Sequence, residues 1–109
     1  MNTDYIYLGT AGVVVKVSKD KGEIAWRAVL KPESFFSSGH VFVSMLVEED
    51  RVFAHTVGEL FCLDAASGKI LWRNPLSGLG SQLGTLASAT GGSSCPDQIK
   101  YADDEKARD

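Results

Sequence analysis

Sliding the sequence against itself by 46 positions superposes residues 4–30 on residues 50–76 without a gap. Eight of the 27 paired positions are identical: Asp4/Asp50, Thr10/Thr56, Gly12/Gly58, Gly22/Gly68, Ile24/Ile70, Trp26/Trp72, Arg27/Arg73 and Leu30/Leu76. Unrelated segments of ordinary composition would agree at roughly one or two. Ile6/Val52, Tyr7/Phe53, Val15/Phe61 and Val17/Leu63 add conservative matches. A repeat of this length marks a chain built from like supersecondary units, each burying its apolar surface against the next. The duplication therefore constrains the fold more than any single motif does.

Each copy contains three short runs rich in β-branched and aromatic residues, which predict strands. In the first copy these are 6–8, 13–17 and 24–27; in the second they are 52–55, 60–63 and 70–73. Gly12 and Gly58 fall where the first two strands of each copy must reverse. KDKGE and AASGK make the next turn, with Gly22 and Gly68 free to take a positive φ. The apolar runs are nearly continuous, which predicts sheets covered on both faces by neighbouring layers.

A fourth strand is expected at 41–47, before the acidic turn Glu48-Glu49-Asp50, and a weaker one at 83–89. The expected order is B-C-D, A-B-C-D, A: two four-stranded antiparallel blades, the first lacking its A strand and the C-terminal end supplying a spare. The expected division is a repeat domain over 1–89, with repeats at about 4–30 and 41–76 and a closing strand at 83–89. Residues 90–109 are Gly/Ser-rich and then highly charged, the composition of a polar tail.

The stretch from Cys62 to Trp72, CLDAASGKILW, resembles the tryptophan-docking motif of quinoprotein-type (PQQ-like) β-propellers, A-x-D-x-x-[ST]-G-K-x-x-W. It departs only at Cys62. The first copy keeps Gly22 and Trp26 but has Lys16 in place of Ala and Ser18 in place of Asp. The resemblance implies an all-β propeller fold in which Gly12, Gly22, Trp26, Gly58, Asp64, Gly68 and Trp72 form the structural repeat. Asp64 would accept hydrogen bonds from its turn, and both indoles would pack between adjacent blades. It does not carry the enzymology. Quinoprotein dehydrogenases hold their cofactor with vicinal cysteines and Ca²⁺ ligands spread over many blades. This chain has no adjacent cysteines, and 109 residues cannot supply six to eight blades. No cofactor is expected.

Catalytic and metal-binding patterns are equally thin. His40 and His55 are the only histidines, and no Cys/His cluster has metal-ligand spacing. Ser37, Ser38 and Ser44 lie near His40 in sequence but lack a G-x-S-x-G elbow and a placed acid. The acidic turn reads as a solvated loop. Gly78-Leu79-Gly80 with Gly84 lacks the Lys-Ser/Thr of a phosphate loop. Cys62 sits in an apolar strand as a small hydrophobe, and Cys95 reads as an exposed thiol. A disulfide between them would need an oxidising compartment. The chain is thus expected not to be an enzyme.

A net charge of −3, with the basic residues dispersed, argues against a nucleic-acid partner. The longest apolar run is too short to cross a bilayer. The start, MNTDYIYLGTAG, has no basic n-region, which for a full-length product points to the cytoplasm. If the chain is a segment of an exported protein, it says nothing about location.

Geometry supplies the functional expectation. A four-stranded blade of five-residue strands presents about 320 Å² per face, so two stacked blades leave about 640 Å² outside. That reaches the size of the largest apolar patches soluble monomers carry. The expected function is a non-catalytic interaction or scaffold module, a homo-oligomer or a partner of another protein, closing head-to-tail into a propeller. In such a ring 83–89 of one chain would complete the 6–27 sheet of the next. The alternatives are a small-molecule or sugar binder using an assembly-formed channel, and a fragment of a quinoprotein-type dehydrogenase.

Overall fold

The computed structural model describes residues 4–31, 42–80, 82–89 and 93–94, and every described element is a β-strand. β1 (Tyr5–Thr10), β2 (Val13–Ser18) and β3 (Ile24–Val29) form a three-stranded antiparallel sheet. β4 (Ser44–Glu48), β5 (Arg51–Thr56), β6 (Glu59–Asp64) and β7 (Ile70–Asn74) form a four-stranded one. β8 (Leu86–Ala87) pairs with β9 (Ser93–Ser94) in a separate ribbon against β4. These are the B-C-D and A-B-C-D sheets expected from the sequence.

The repeat is reproduced down to its turns. Ala11 and Gly12 have φ of 51° and 72°, and Val57 and Gly58 have 47° and 71°. Two successive positive φ values are what a two-residue type I′ hairpin demands, because its twist matches that of the flanking strands. The second turn of each copy carries the same three backbone hydrogen bonds. Ser18 N–H to Glu23, Gly22 N–H to Ser18 and Lys19 N–H to Asp4 recur as Asp64 to Lys69, Gly68 to Asp64 and Ala65 to Asp50, all between 2.8 and 2.9 Å. Register shifts also coincide, at Lys16/Val17 and Cys62/Leu63.

Because strand side chains alternate, each sheet has two faces; the one carrying the tryptophan is called the front. The front of the first sheet, with Val14 and Ala28, packs on the back of the second, with Val52, Ala54, Phe61 and Leu63. Phe61, Leu63, Val14 and Val52 are fully buried there. Burying each such side chain contributes about 1.5–3 kcal/mol, so this one layer holds the two sheets together.

Three expectations change. The fourth strand runs Ser44–Glu48 rather than over 41–47, with Val41 outside the described residues. The closing strand expected at 83–89 shrinks to Leu86–Ala87. Its pairing partner, Ser93–Ser94, falls in the stretch read as a tail. Gly84, two residues before the short strand, lies so close to His55 that a Cβ would come within 3.0 Å of the ring. Thirdly, coverage on both faces does not hold within one chain, since each sheet is covered fully on one face only.

Candidate interaction surface

The contact between the sheets shows what a covered face looks like. Trp26, on β3, donates its indole N–H to the Ala65 carbonyl at 2.9 Å. Its ring lies against Gly68, where a Cβ would come within 2.5 Å of the indole carbons. Only glycine allows that approach, and at φ 79° only glycine adopts the backbone without strain. Tyr7 flanks the indole, with ring centroids 6.1 Å apart and planes tilted by 49°. The buried Lys16 ammonium also donates to the Ala65 carbonyl, at 3.1 Å, and stands 4.4 Å above the Tyr5 ring. Burial, with the Asp64 charge adding, raises the Tyr7 phenol above its ordinary pKa.

Asp64 organises the receiving turn. Its carboxylate accepts from the Ser67 hydroxyl at 2.7 Å and the Ser67 N–H at 3.0 Å, and these two bonds lower its pKa. In the first copy Ser18 stands in for it, its hydroxyl accepting from the Glu23 N–H.

A second tie lies at the far end of the β2–β3 and β6–β7 strands. Glu59, on the back of the second sheet, pairs with Lys31 and with Arg73, the latter at 2.6 Å. The Arg73 guanidinium, then the Lys31 ammonium, hold its carboxyl below the ordinary value against the opposing effect of burial. Lys31 follows the first sheet and Glu59 belongs to the second, so this pair crosses between them. Sequence reasoning missed this cluster. The available signal was charge asymmetry at equivalent positions: Glu59 aligns with Val13, and Lys16 with Cys62.

The other two faces look outward. On the back of the first sheet Ile6, Leu8, Ile24 and Val29 are between 51% and 59% exposed. On the front of the second sheet Trp72 is 43% exposed, so the expectation that both indoles pack between sheets is met by Trp26 alone within one chain. Phe53 flanks Trp72 as Tyr7 flanks Trp26, at 6.2 Å and 48°. Beside Trp72 lies a largely apolar cleft of about 280 Å³, walled by Leu46, Phe53, Leu60 and Leu86.

The remaining sequence candidates do not converge. His40, Ser37, Ser38 and Cys95 lie outside the described residues. His55 is half-buried beneath Gly84, and Ser44, its cross-strand neighbour, keeps a buried hydroxyl without a partner among the described residues. Cys62 is buried between Phe53 and Trp72, and burial raises its thiol pKa. Glu48 ends β4 opposite Arg51, Glu49 and Asp50 form the β4–β5 turn, and Gly78 and Gly80 lie in the stretch after β7. Among the described residues no three His, Cys, Asp or Glu side chains gather closely enough to hold a metal, and no helix could cross a membrane.

Two antiparallel sheets stacked front to back, the indole of one against the turn of the next, define blades of a PQQ-like β-propeller. Residues 10–90 match the family described as outer membrane protein assembly factor BamB, and the chain belongs to that family. A search of curated proteins returns no match.

Proposed function

We propose that this chain is a non-catalytic interaction module whose two blades are completed by further blades, supplied first of all by other copies of itself. The observation that carries the reading is the pair of uncovered apolar faces: Ile6, Leu8, Ile24 and Val29 at one end of the stack, Trp72 at the other. At about 320 Å² each, such faces together match the largest apolar patches of soluble monomers and mark interaction sites. The two faces differ, so association is heterologous, and it closes into a ring when the rotation permits. Three copies give six blades and four give eight. Light scattering tests this: discrete multimers support it, and a folded monomer at about 100 µM, which would leave the contact worth less than about 5.5 kcal/mol, rejects it.

The cleft beside Trp72 favours a second reading, a binder of a flat apolar small molecule. A rise in melting temperature with such ligands, absent when Trp72 is truncated, would select it over the first.

A further inference from the structure

The offset of 46 residues that relates the two copies also relates a filled docking site to an empty one. Trp26 is received by the Ala65 carbonyl and by Gly68. Shifted by the repeat, the same three positions are Trp72, Lys19 and Gly22. Each half of this second set is already in its docking form. The Phe53–Trp72 pair repeats the Tyr7–Trp26 pair within 0.1 Å and 1°, read from 6.2 Å and 48° against 6.1 Å and 49°. The turn at 18–23 carries the same backbone hydrogen bonds as the turn at 64–69, which puts the Lys19 carbonyl where Ala65 presents its own. A Cβ at Gly68 would collide with an indole; one at Gly22 would meet nothing within 4 Å.

We infer that Trp72 of one copy docks on the Lys19–Gly22 turn of a second copy, its indole N–H donating to the Lys19 carbonyl. This rests on the reading of the chain as a self-assembling module and specifies the contact. The faces brought together are the front of the second sheet and the back of the first. They are better matched to each other than to water. Ile6 and Leu8 occupy the positions of the fully buried Val52 and Ala54, and are themselves about half exposed.

The new contact is more apolar than the one inside the chain. Val13 stands where Glu59 stands, and Cys62 where Lys16 stands, so neither the ion cluster nor the ammonium bond is repeated. Arg27, the repeat equivalent of Arg73, lies on the first sheet's back and finds Val13 rather than a carboxylate beside it.

The segment around β8 fits the same arrangement. Val43, just before β4, packs on Gly9 of the first sheet, and Gly84, just before β8, packs on His55, which is the repeat equivalent of Gly9. β8 thus lies over the front of the second sheet where β4 lies over the front of the first. β1 is an edge strand of its sheet, while its counterpart β5 is paired with β4. An incoming copy would bring its β1 edge alongside β8.

The test uses the full chain and two single variants, each shown to be folded by circular dichroism. Trp72→Ala removes the indole and leaves the turn; Gly22→Ala adds a methyl group to the turn and leaves the indole. Sedimentation velocity should find multimers of the wild-type chain. Each variant alone should associate about thirtyfold more weakly or worse, the scale of losing a central tryptophan contact. Mixed, the two variants should form a one-to-one heterodimer that grows no further. Each retains one sound face: the Gly22→Ala copy lends Trp72 to the turn of the Trp72→Ala copy.

Multimers unaffected by either variant would overturn the docking pair while leaving self-assembly standing. Weakened variants that fail to complement each other would also overturn it. A wild-type chain that stays monomeric would remove both this inference and the reading beneath it, and would leave blades from another protein as the occupants.

Discussion

The two tryptophans share a motif, a register and an aromatic neighbour, yet Trp26 is docked and Trp72 is 43% exposed. Their backbone settings are alike: each lies opposite β2 or β6 at the register shift, and each follows its turn glycine by four residues, although Lys16 stands across from Trp26 and Cys62 across from Trp72. What differs is what comes next in the stack. Trp26 faces a second sheet; Trp72 faces the place where a third would be. The comparison teaches that this motif is a half-contact, and that its energy is realised only when another blade supplies the turn.

The sharpest way to break that comparison is to truncate both indoles in dilute, monomeric protein. Trp26→Ala should destabilise the chain by about 3–5 kcal/mol, as loss of a large packed aromatic does. Trp72→Ala should cost less than about 1 kcal/mol, the usual range for a surface change. Urea denaturation reads both, and equal losses would show that the two sites are not in different states.

The receiving glycines should divide in the same way. Gly68→Ala places a methyl group into the Trp26 ring and forces a left-handed backbone, so a loss of about 3 kcal/mol is expected. Gly22→Ala meets open space and carries only the backbone strain, about 1 kcal/mol. Thermal unfolding at low concentration checks the difference.

Glu59 sharpens the comparison from the other side, because the first copy has Val13 there. Glu59→Gln should destabilise by about 2 kcal/mol, since the Lys31 and Arg73 cations lose the carboxylate charge between them.

The smallest effect is in pH. The Glu59 carboxyl lies below the ordinary value of 4.5 in the folded chain, so its contribution is present in full above that value. It is lost as pH falls through the lowered folded value, when the carboxylate takes up a proton and the charge pairing goes. Urea midpoints measured from pH 7 down to pH 3 should fall less steeply for Glu59→Gln than for the wild-type chain.

Most of the fold was legible in the residues. The six strands of the two copies, the tight reversals at Gly12 and Gly58, and the turn centred on Asp64 and Gly68 follow from local patterning and from the repeat; the positive φ of Ala11 and Val57 does not. The strand at 83–89 was not legible, because its run of small and apolar residues does not reveal that Gly84 lies against His55. The Lys31–Glu59–Arg73 cluster was hidden for another reason: Lys31 and Glu59 are 28 residues apart and meet only when the sheets stack.

The chain's own residues decide that it forms two like antiparallel sheets, because short β-rich apolar runs and glycine turn positions are local properties that repeat at the same spacing. Only the tertiary structure decides which copy's tryptophan is covered, which glycine is crowded and which carboxylate is paired. Equivalent residues receive different surroundings when a stack has ends. Burial depends on what lies across the gap, and a residue's own neighbours in sequence carry no record of that.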